Sequence, residues 1–482
     1  MAPNKIIIDT DPGVDDVLAM LLAFSAKPEE LQVLLLSLTH GNIDIQNCLR
    51  NVITLFHFIE KEQAWRKQNG RSEGFESLMA CKPIVAIGAE EPLADQMMLA
   101  DFFHGIDGLG GIHTSHPHLT PSETWKSLFS AALKSSNPEE VAAAREAQET
   151  QNTHSLFTPS QKPAHEEMLR LLRENEPDTI TIVAIGPLTN LAIAAATDPE
   201  TFLRVKEVVV MGGAVDVPGN VMCPDLSLIY SPQVLSISVP RFGLIKQPDT
   251  PLRRMLNVRN QMTPGAEFNT FADSVAAARV FALTSPNPKT TMPTVPDVGK
   301  YKGKLGPYPE SLSRKLRLKL FPLDITTPHL LPRQLFTSYT APLSDSPLAQ
   351  WVTAFLTSTY NKVLSLKPPT ADPSTVGLEM HDPLTIWHVL TPTDAGWKFT
   401  ENEDIRVEAS GQWTRGCCIV DKRGKRMRDG DVDLDVEVAG DSGLWMDKRA
   451  GNRVLRCVKS PGEEKFAGEL MERVFGPSCP SA

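Results

Sequence analysis

Four carboxylates fall within eight residues in the segment DTDPGVDD, Asp9 to Asp16, directly after the short apolar run Lys5 to Ile8. The run reads as a strand buried on both faces, and such strands belong to parallel sheets covered by helices. Acids crowded at its end repel one another unless a cation neutralises them. Hard oxygen donors at this density suit Ca2+ or Mg2+, not zinc or copper. Pro12 and Gly13 let the chain turn sharply, so the carboxylates can converge. In an open α/β sheet, ligands bind beyond the carboxyl ends of the strands, where this loop would lie. Asp15 and Asp16 also have a plainer role open to them, capping the helix that follows and favouring its dipole.

The rest of the chain repeats the rhythm. Helical apolar spacing runs over Asp16–Ala26, a second buried strand over Gln32–Leu38, and helical spacing again over Asp44–Glu60. Ile180–Ala184 and Val208–Met211 read as further strands, and GPLTN opens a helix that runs to Ala196. Strand, loop and helix in alternation give a βαβ pattern. The expected fold is α/β: an open, mostly parallel sheet covered by helices. Three stretches break the rhythm. Residues 112–165 are polar, 285–318 are rich in Pro, Lys and Ser, and both read as surface insertions or linkers. Residues 221–261 carry five prolines and five Lys/Arg against two Asp, with no clear period.

With 482 residues, the length alone suggests about three domains. A hydrophobic share of 41% supports a sizeable core and excludes a wholly disordered chain. The net charge of −10 lacks the electrostatic footprint of a nucleic-acid or membrane-surface binder. Seven scattered cysteines without a CxxC pair indicate neither a zinc site nor a disulfide framework. No long apolar run predicts a membrane span. Acidic residues enter the N-terminal segment almost at once, which does not read as a secretory leader. The expectation is a cytoplasmic protein.

A strand ending in Asp-x-Asp resembles the phosphatases of the haloacid dehalogenase type. Gly13, however, stands where that motif wants Thr or Val, and Asp15-Asp16 follows too soon. A fuller resemblance is to the inosine-uridine-preferring nucleoside hydrolases. DTDPGVDD is similar to that family's N-terminal signature, THGN (Thr39–Asn42) to its second-strand element, and HGIDGLGG (His104–Gly111) to its HG-x-x-GL loop. VAIGPLTNLA (Val183–Ala192), VVMGGAV with a following GN (Val209–Asn220), PGAEFN (Pro264–Asn269) and HDPL (His381–Leu384) continue the series. The tail adds TRGCCIVD (Thr414–Asp421) and a helix around Phe466–Phe475. The resemblance covers most of the chain outside the three breaking stretches. It implies one α/β domain over residues 1–482 in place of three.

It also implies hydrolysis of the N-glycosidic bond of a small-molecule ribonucleoside, in nucleoside salvage, through an oxocarbenium-like transition state. Asp11 is then a Ca2+ ligand and the general base. Asp16, Asp382 and the backbone carbonyl of Ile185 complete the protein ligands. Asp15 and Asn269 hold the ribose 2′- and 3′-hydroxyls, and Asn220 and Glu267 hold the 5′-hydroxyl. Met211 packs on the sugar, and Asn42 orients the reacting groups. His381 is the acid beside the leaving base, since imidazole can donate near neutral pH. His104 is either a pocket residue or a loop hydrogen-bonder. Asp9 is expected to support the loop, Asn190 to brace its own helix start, and His40 and His388 to be structural. The Asp-rich stretch Asp429–Asp435 lacks the terminal Glu of an EF-hand and reads as a solvated loop. The family implies a dimer or tetramer.

One departure stands out. In the family, GN and AEFN belong to one short loop, whereas here residues 221–261 separate Asn220 from Glu267. Deleting them restores GNMTPGAEFN, so the segment reads as an intron carried into the coding sequence. A genuine long loop is the alternative, since loop-closure entropy rises slowly with length. Such a loop would leave open a catalytically impaired ribose-binding relative, because small positioning errors are costly to rate.

Overall fold

The computed structural model describes residues 3–94, 97–121, 141, 156–221, 263–293, 305–368, 370, 372–423 and 440–476. The Asp-rich stretch and nearly all of the 221–261 segment lie outside them. In chain order the strands are β1 (Asn4–Thr10), β2 (Leu31–Leu38), β3 (Ile84–Ile87), β4 (Thr158–Pro159), β5 (Ile180–Ala184), β6 (Glu207–Met211) and β7 (Leu318–Phe321). There follow β8 (Leu330–Pro332), β9 (Gly377–Glu379), β10 (Lys398–Phe399), β11 (Arg406–Val407), β12 (Cys418–Ile419) and β13 (Leu455–Lys459). Nine of them form one sheet in the order β10-β13-β7-β6-β5-β1-β2-β3-β4. Every pairing is parallel except β10 with β13. β8–β9 and β11–β12 are separate antiparallel pairs.

Alternation along each strand divides the core in two. Ile6, Ile8, Leu36, Leu38, Val183, Val209 and Phe321 enter one apolar cluster with the helices Val14–Phe24, Ile45–Gln68, Pro347–Ser365, His381–Leu390 and Glu463–Phe475. Ile7, Leu35, Ile182, Val208, Val210 and Leu320 enter the other, with Ala164–Glu174, Thr189–Thr197 and Ser274–Ala282. The strands are thus buried on both faces, which is why they read as continuous apolar runs.

The expected insertion 112–165 does not lie wholly on the surface. Its start carries buried Ile112 and Leu119, and its end supplies β4 at the sheet edge, flanked by buried Leu156 and Phe157. In 285–318, Tyr308 and Leu316 are likewise buried and Leu318 begins β7. Polar composition hid these anchors because each is only one or two residues long.

Strand order reverses between β1 and β5. Sequence moves outward through β2 and β3 on one side and through β6 and β7 on the other. Loops leaving the carboxyl ends of neighbouring strands diverge at such a switch point and leave a crevice. The acidic loop after β1 and the GPLTN segment after β5 flank it.

Candidate active site

The acidic loop is held by its own residues. Thr10 Oγ1 donates to Asp16 Oδ1 at 2.6 Å, and the Gly13 amide donates to Asp16 Oδ2 at 2.9 Å. Asp16 therefore does cap its helix, as the plainer reading expected, while still facing its acidic neighbours. Asn42 closes the loop from β2. Its amide donates to Asp11 Oδ2 at 2.6 Å, and its Nδ2 donates to Asp16 Oδ2 at 3.0 Å and to the Asp11 carbonyl at 3.2 Å. A Cβ on Gly41 or Gly186 would collide with the Asp11 carboxylate, so both glycines are demanded by close approach.

Asp382, in the first turn of the helix His381–Leu390, arrives from the far end of the chain. Asp15, Asp16 and Asp382 are buried and bring ligand oxygens within 4.8 Å of one another, a set that could hold a metal ion. Asp15, expected to hold ribose, stands in the same cluster, next to the expected ligands Asp16 and Asp382. Asp11 lies alongside, with Oδ1 buried and without a hydrogen-bond partner among the described residues. An orphaned carboxylate oxygen beside three more acids fits an oxygen-ligated divalent cation.

Burial and mutual repulsion push these acids up. Asp16 rises to about 6, from burial first and then from Asp15. Burial, then the neighbouring carboxylates, holds Asp11 and Asp382 well above the usual range. Asp9 rises to about 7 by burial, although bonds from Ser37 and Asn190 oppose it. Asp9 Oδ1 accepts from the side chains of Ser37 and Asn190. Asn190 does more than brace its helix. Its Nδ2 donates to Asp9 Oδ1 at 2.9 Å, to Ser37 Oγ at 3.1 Å and to the Leu38 carbonyl at 2.9 Å, and its Oδ1 accepts from the Ala89 amide at 2.8 Å. It laces together the ends of β1 and β2 and the loop after β3.

On the other wall, Asn269 Nδ2 donates to the Ile185 carbonyl at 3.1 Å and to the Met211 carbonyl at 3.3 Å. Asn269, Ile185 and Met211 are therefore neighbours, at the ends of β5 and β6. Glu267 is buried and caps the helix Phe268–Ala272 through the amides of Asn269 (2.7 Å) and Thr270 (3.0 Å). Its Oε2 also accepts from Gly213 N at 2.8 Å. Asn220 is exposed, and its Oδ1 accepts from the Phe268 amide at 2.9 Å. The GN and AEFN elements are thus side by side despite the long segment between them.

Two histidines face the acids. His104 is buried, and its Nδ1 accepts from the Val14 amide at 3.3 Å. Burial lowers its pKa, against the charge of Asp15. His381 has Nδ1 2.7 Å from Thr326 Oγ1 and Nε2 3.0 Å from Glu379 Oε2. Burial pulls its pKa down, but the Glu379 bond and the charges of Asp15, Glu379 and Glu267 carry it above the ordinary value. Burial lowers His40 to about 4, and His388 Nε2 lies 3.0 Å from the buried Lys319 ammonium.

Sequence reasoning missed Asn51. Within the helix Ile45–Gln68, its Nδ2 donates to the Pro12 carbonyl at 2.8 Å and to the Asp107 carbonyl at 2.9 Å, joining the acidic loop to the HGIDGLGG loop. Asp107 in turn accepts from the amides of Leu109, Gly111 and His113.

Residues 6–442 match the family model described as inosine-uridine preferring nucleoside hydrolase. Uridine nucleosidase 1 of Arabidopsis thaliana is 33% identical over 219 residues, 45% of this chain and 47% of that protein. The pyrimidine-specific ribonucleoside hydrolase RihA of Klebsiella pneumoniae is 28% identical over 47% of this chain and 54% of that one. The chain therefore spans about half the length of these curated relatives. An uncharacterized protein of Schizosaccharomyces pombe aligns more fully, 24% identical over 86% of this chain and 89% of its own. Among solved structures, the plant nucleoside hydrolase PpNRh1 superposes with a TM-score of 0.59 at 21% identity, covering 98% of this chain and 100% of that one. A purine-preferring ribonucleoside hydrolase from Gardnerella vaginalis gives 0.58 at 17% identity, covering 98% of each. At these identities the structures share the fold. Among the described residues no helix is long and apolar enough to cross a membrane.

Proposed function

Because the chain belongs to the inosine-uridine preferring nucleoside hydrolase family, we propose that it hydrolyses the N-glycosidic bond of ribonucleosides to free base and ribose. The observation that carries the reading is the convergence of Asp11, Asp15, Asp16 and Asp382 at the switch point, opposite two histidines. Asp11, Asp16, Asp382 and the Ile185 carbonyl would hold Ca2+. When bound, such a cation neutralises the acids and makes a water easier to deprotonate. Asp11 serves as general base, its Oδ2 fixed by the Asn42 amide and its Oδ1 free to accept a proton. Asp15 and Asn269 hold the ribose 2′- and 3′-hydroxyls, and Met211 packs on the sugar. Glu267 and Asn220 hold the 5′-hydroxyl. Glu267 does so through the remaining acceptor capacity of Oε1, which already accepts from the Asn269 amide, while Oε2 is engaged by the Gly213 and Thr270 amides. Asn42 orients the acids, and His104 lines the pocket. His381 gives a proton to the leaving base.

The setting we propose is cytoplasmic nucleoside salvage by a homo-oligomer. The test is ribose release by the full-length chain from uridine, inosine, cytidine and adenosine, with and without a calcium chelator. Chelator-sensitive release supports the reading and ranks the bases. A folded chain that binds Ca2+ but releases no ribose overturns it in favour of a ribose-binding relative.

A further inference from the structure

His381 has two polar atoms, and protein groups occupy both. Thr326 closes the helix Leu323–Thr326, is fully buried, and meets Nδ1 at 2.7 Å. Glu379 ends β9, keeps 46% of its side chain exposed, and meets Nε2 at 3.0 Å. A carboxylate only accepts hydrogen bonds, so Nε2 carries a proton. The buried threonine has no room to leave, whereas the half-exposed glutamate can swing into solvent. The nitrogen that can be freed toward a ligand is therefore Nε2, with its proton already on it.

We infer that Thr326 and Glu379 are positioning residues for His381. Thr326 fixes the ring plane, and Glu379 holds the Nε2–H until the leaving base takes its place. The inference rests on the nucleosidase reading and adds a division of labour within it. The donor is the imidazolium form, whose Nδ1–H donates to Thr326 Oγ1; as the C1′–N bond breaks, its electron pair stays on the base, the Nε2 proton neutralises it, and the ring is left as neutral imidazole. Water adds its oxygen to C1′ and gives its surplus proton to Asp11. A ring free to rotate would miss the base nitrogen while leaving attack at C1′ intact. Misplacing a proton donor costs part of the hundred- to ten-thousandfold that general acid–base catalysis supplies.

The test compares two substrates on the full chain with Ca2+. One is inosine or uridine, whose base leaves poorly without a proton. The other is an aryl riboside whose acidic phenol leaves unaided. Thr326→Val should lower kcat on the nucleoside by about tenfold or more and change the aryl riboside by less than about twofold. Thr326→Ser, which keeps the hydroxyl, should restore the nucleoside rate. Glu379→Gln, partly exposed and safe for folding, should show the same selective loss to a smaller degree. Equal losses on both substrates at an altered melting temperature would make these residues merely structural and overturn the inference. No change on either substrate would overturn it as well. If the unaltered chain cleaves neither substrate, the nucleosidase reading fails and takes the inference with it.

Discussion

The two walls of the crevice are built in opposite ways. The acidic wall comes mostly from one unbroken segment, Asp9–Asp16, tied by Asn42 and Asn51, with Asp382 joining it from a distant helix. The ribose wall brings together two stretches distant in sequence, Gly213–Asn220 and Glu267–Phe268, that meet through Glu267, Gly213 and the Phe268 amide. The first wall is rigid in its connections but electrostatically loaded, with several raised carboxylates. The second carries less charge, and its hydrogen bonds join stretches that are distant in sequence. Charge stresses one wall, and chain entropy stresses the other.

The sharpest way to separate them is to remove the Asp11 carboxylate, which we propose as both base and cation ligand. Asp11→Asn should lower kcat by about a hundredfold to ten-thousandfold, the range for a lost general base. It should also raise the melting temperature of the cation-free protein, because it deletes a buried acid that burial disfavours. A slow and destabilised variant would mean that Asp11 holds the wall together.

The electrostatic load predicts a pH dependence next in size. Asp9 and Asp16 titrate at about 7 and about 6 in the folded chain, above the ordinary 3.8. Their contribution is fully present below the unfolded value and is lost as pH rises through the folded ones. Without cation, stability should therefore fall between about pH 4 and pH 7, by on the order of a few kcal/mol. Ca2+ should raise the melting temperature far more at pH 7 than at pH 4. Melting curves with chelator and with Ca2+ at both values check this, and an equal Ca2+ effect at both would remove the acids as its cause.

The ribose wall should respond to Glu267→Ala with a loss of about 1–2 kcal/mol, from the helix cap and the Gly213 tie. Urea unfolding measures it. A rise in KM larger than the fall in kcat would accompany it if the residue also meets the 5′-hydroxyl.

The same contrast explains what the sequence reveals. β1, β2, β5 and β6 are legible because burial on both faces makes them continuous apolar runs. β7 is not, because Lys319 interrupts it. That lysine is tolerated only because Glu207 on β6 and His388 on a later helix meet its ammonium at 3.0 Å. The acidic loop is legible because its four carboxylates are adjacent in sequence. Asn51 is not, since a polar residue in a helix reads as solvent-facing until the loops it ties are in place, and Asn190 is legible only as a brace of its own helix, because its partners on β1 and β2 are distant in sequence. Thr326 and Glu379 were silent for the same reason: they act only through His381, which is 55 and two residues away respectively.

The least disturbance should come from removing residues 221–261 altogether. Among the described residues, the ribose wall is closed by bonds outside the segment. Asn220 Oδ1 meets the Phe268 amide at 2.9 Å, and Gly219 packs so closely on Ala266 that a Cβ there would collide with its carbonyl. Deleting the segment therefore shortens the connection between two stretches, Gly219–Asn220 and Ala266–Phe268, that are already in contact. Closure entropy changes by only about 0.6 kcal/mol per doubling of loop length, so stability should rise on the order of 1 kcal/mol. Ribose release should stay within about threefold of the full chain, because the groups that hold the sugar do not move. Sequencing the spliced message decides separately whether the segment is translated at all. If the shortened chain folds but loses ribose release while the full chain keeps it, the segment contributes to the site. In that case the two walls are not complete without it, and the idea of an intron carried into the coding sequence is wrong.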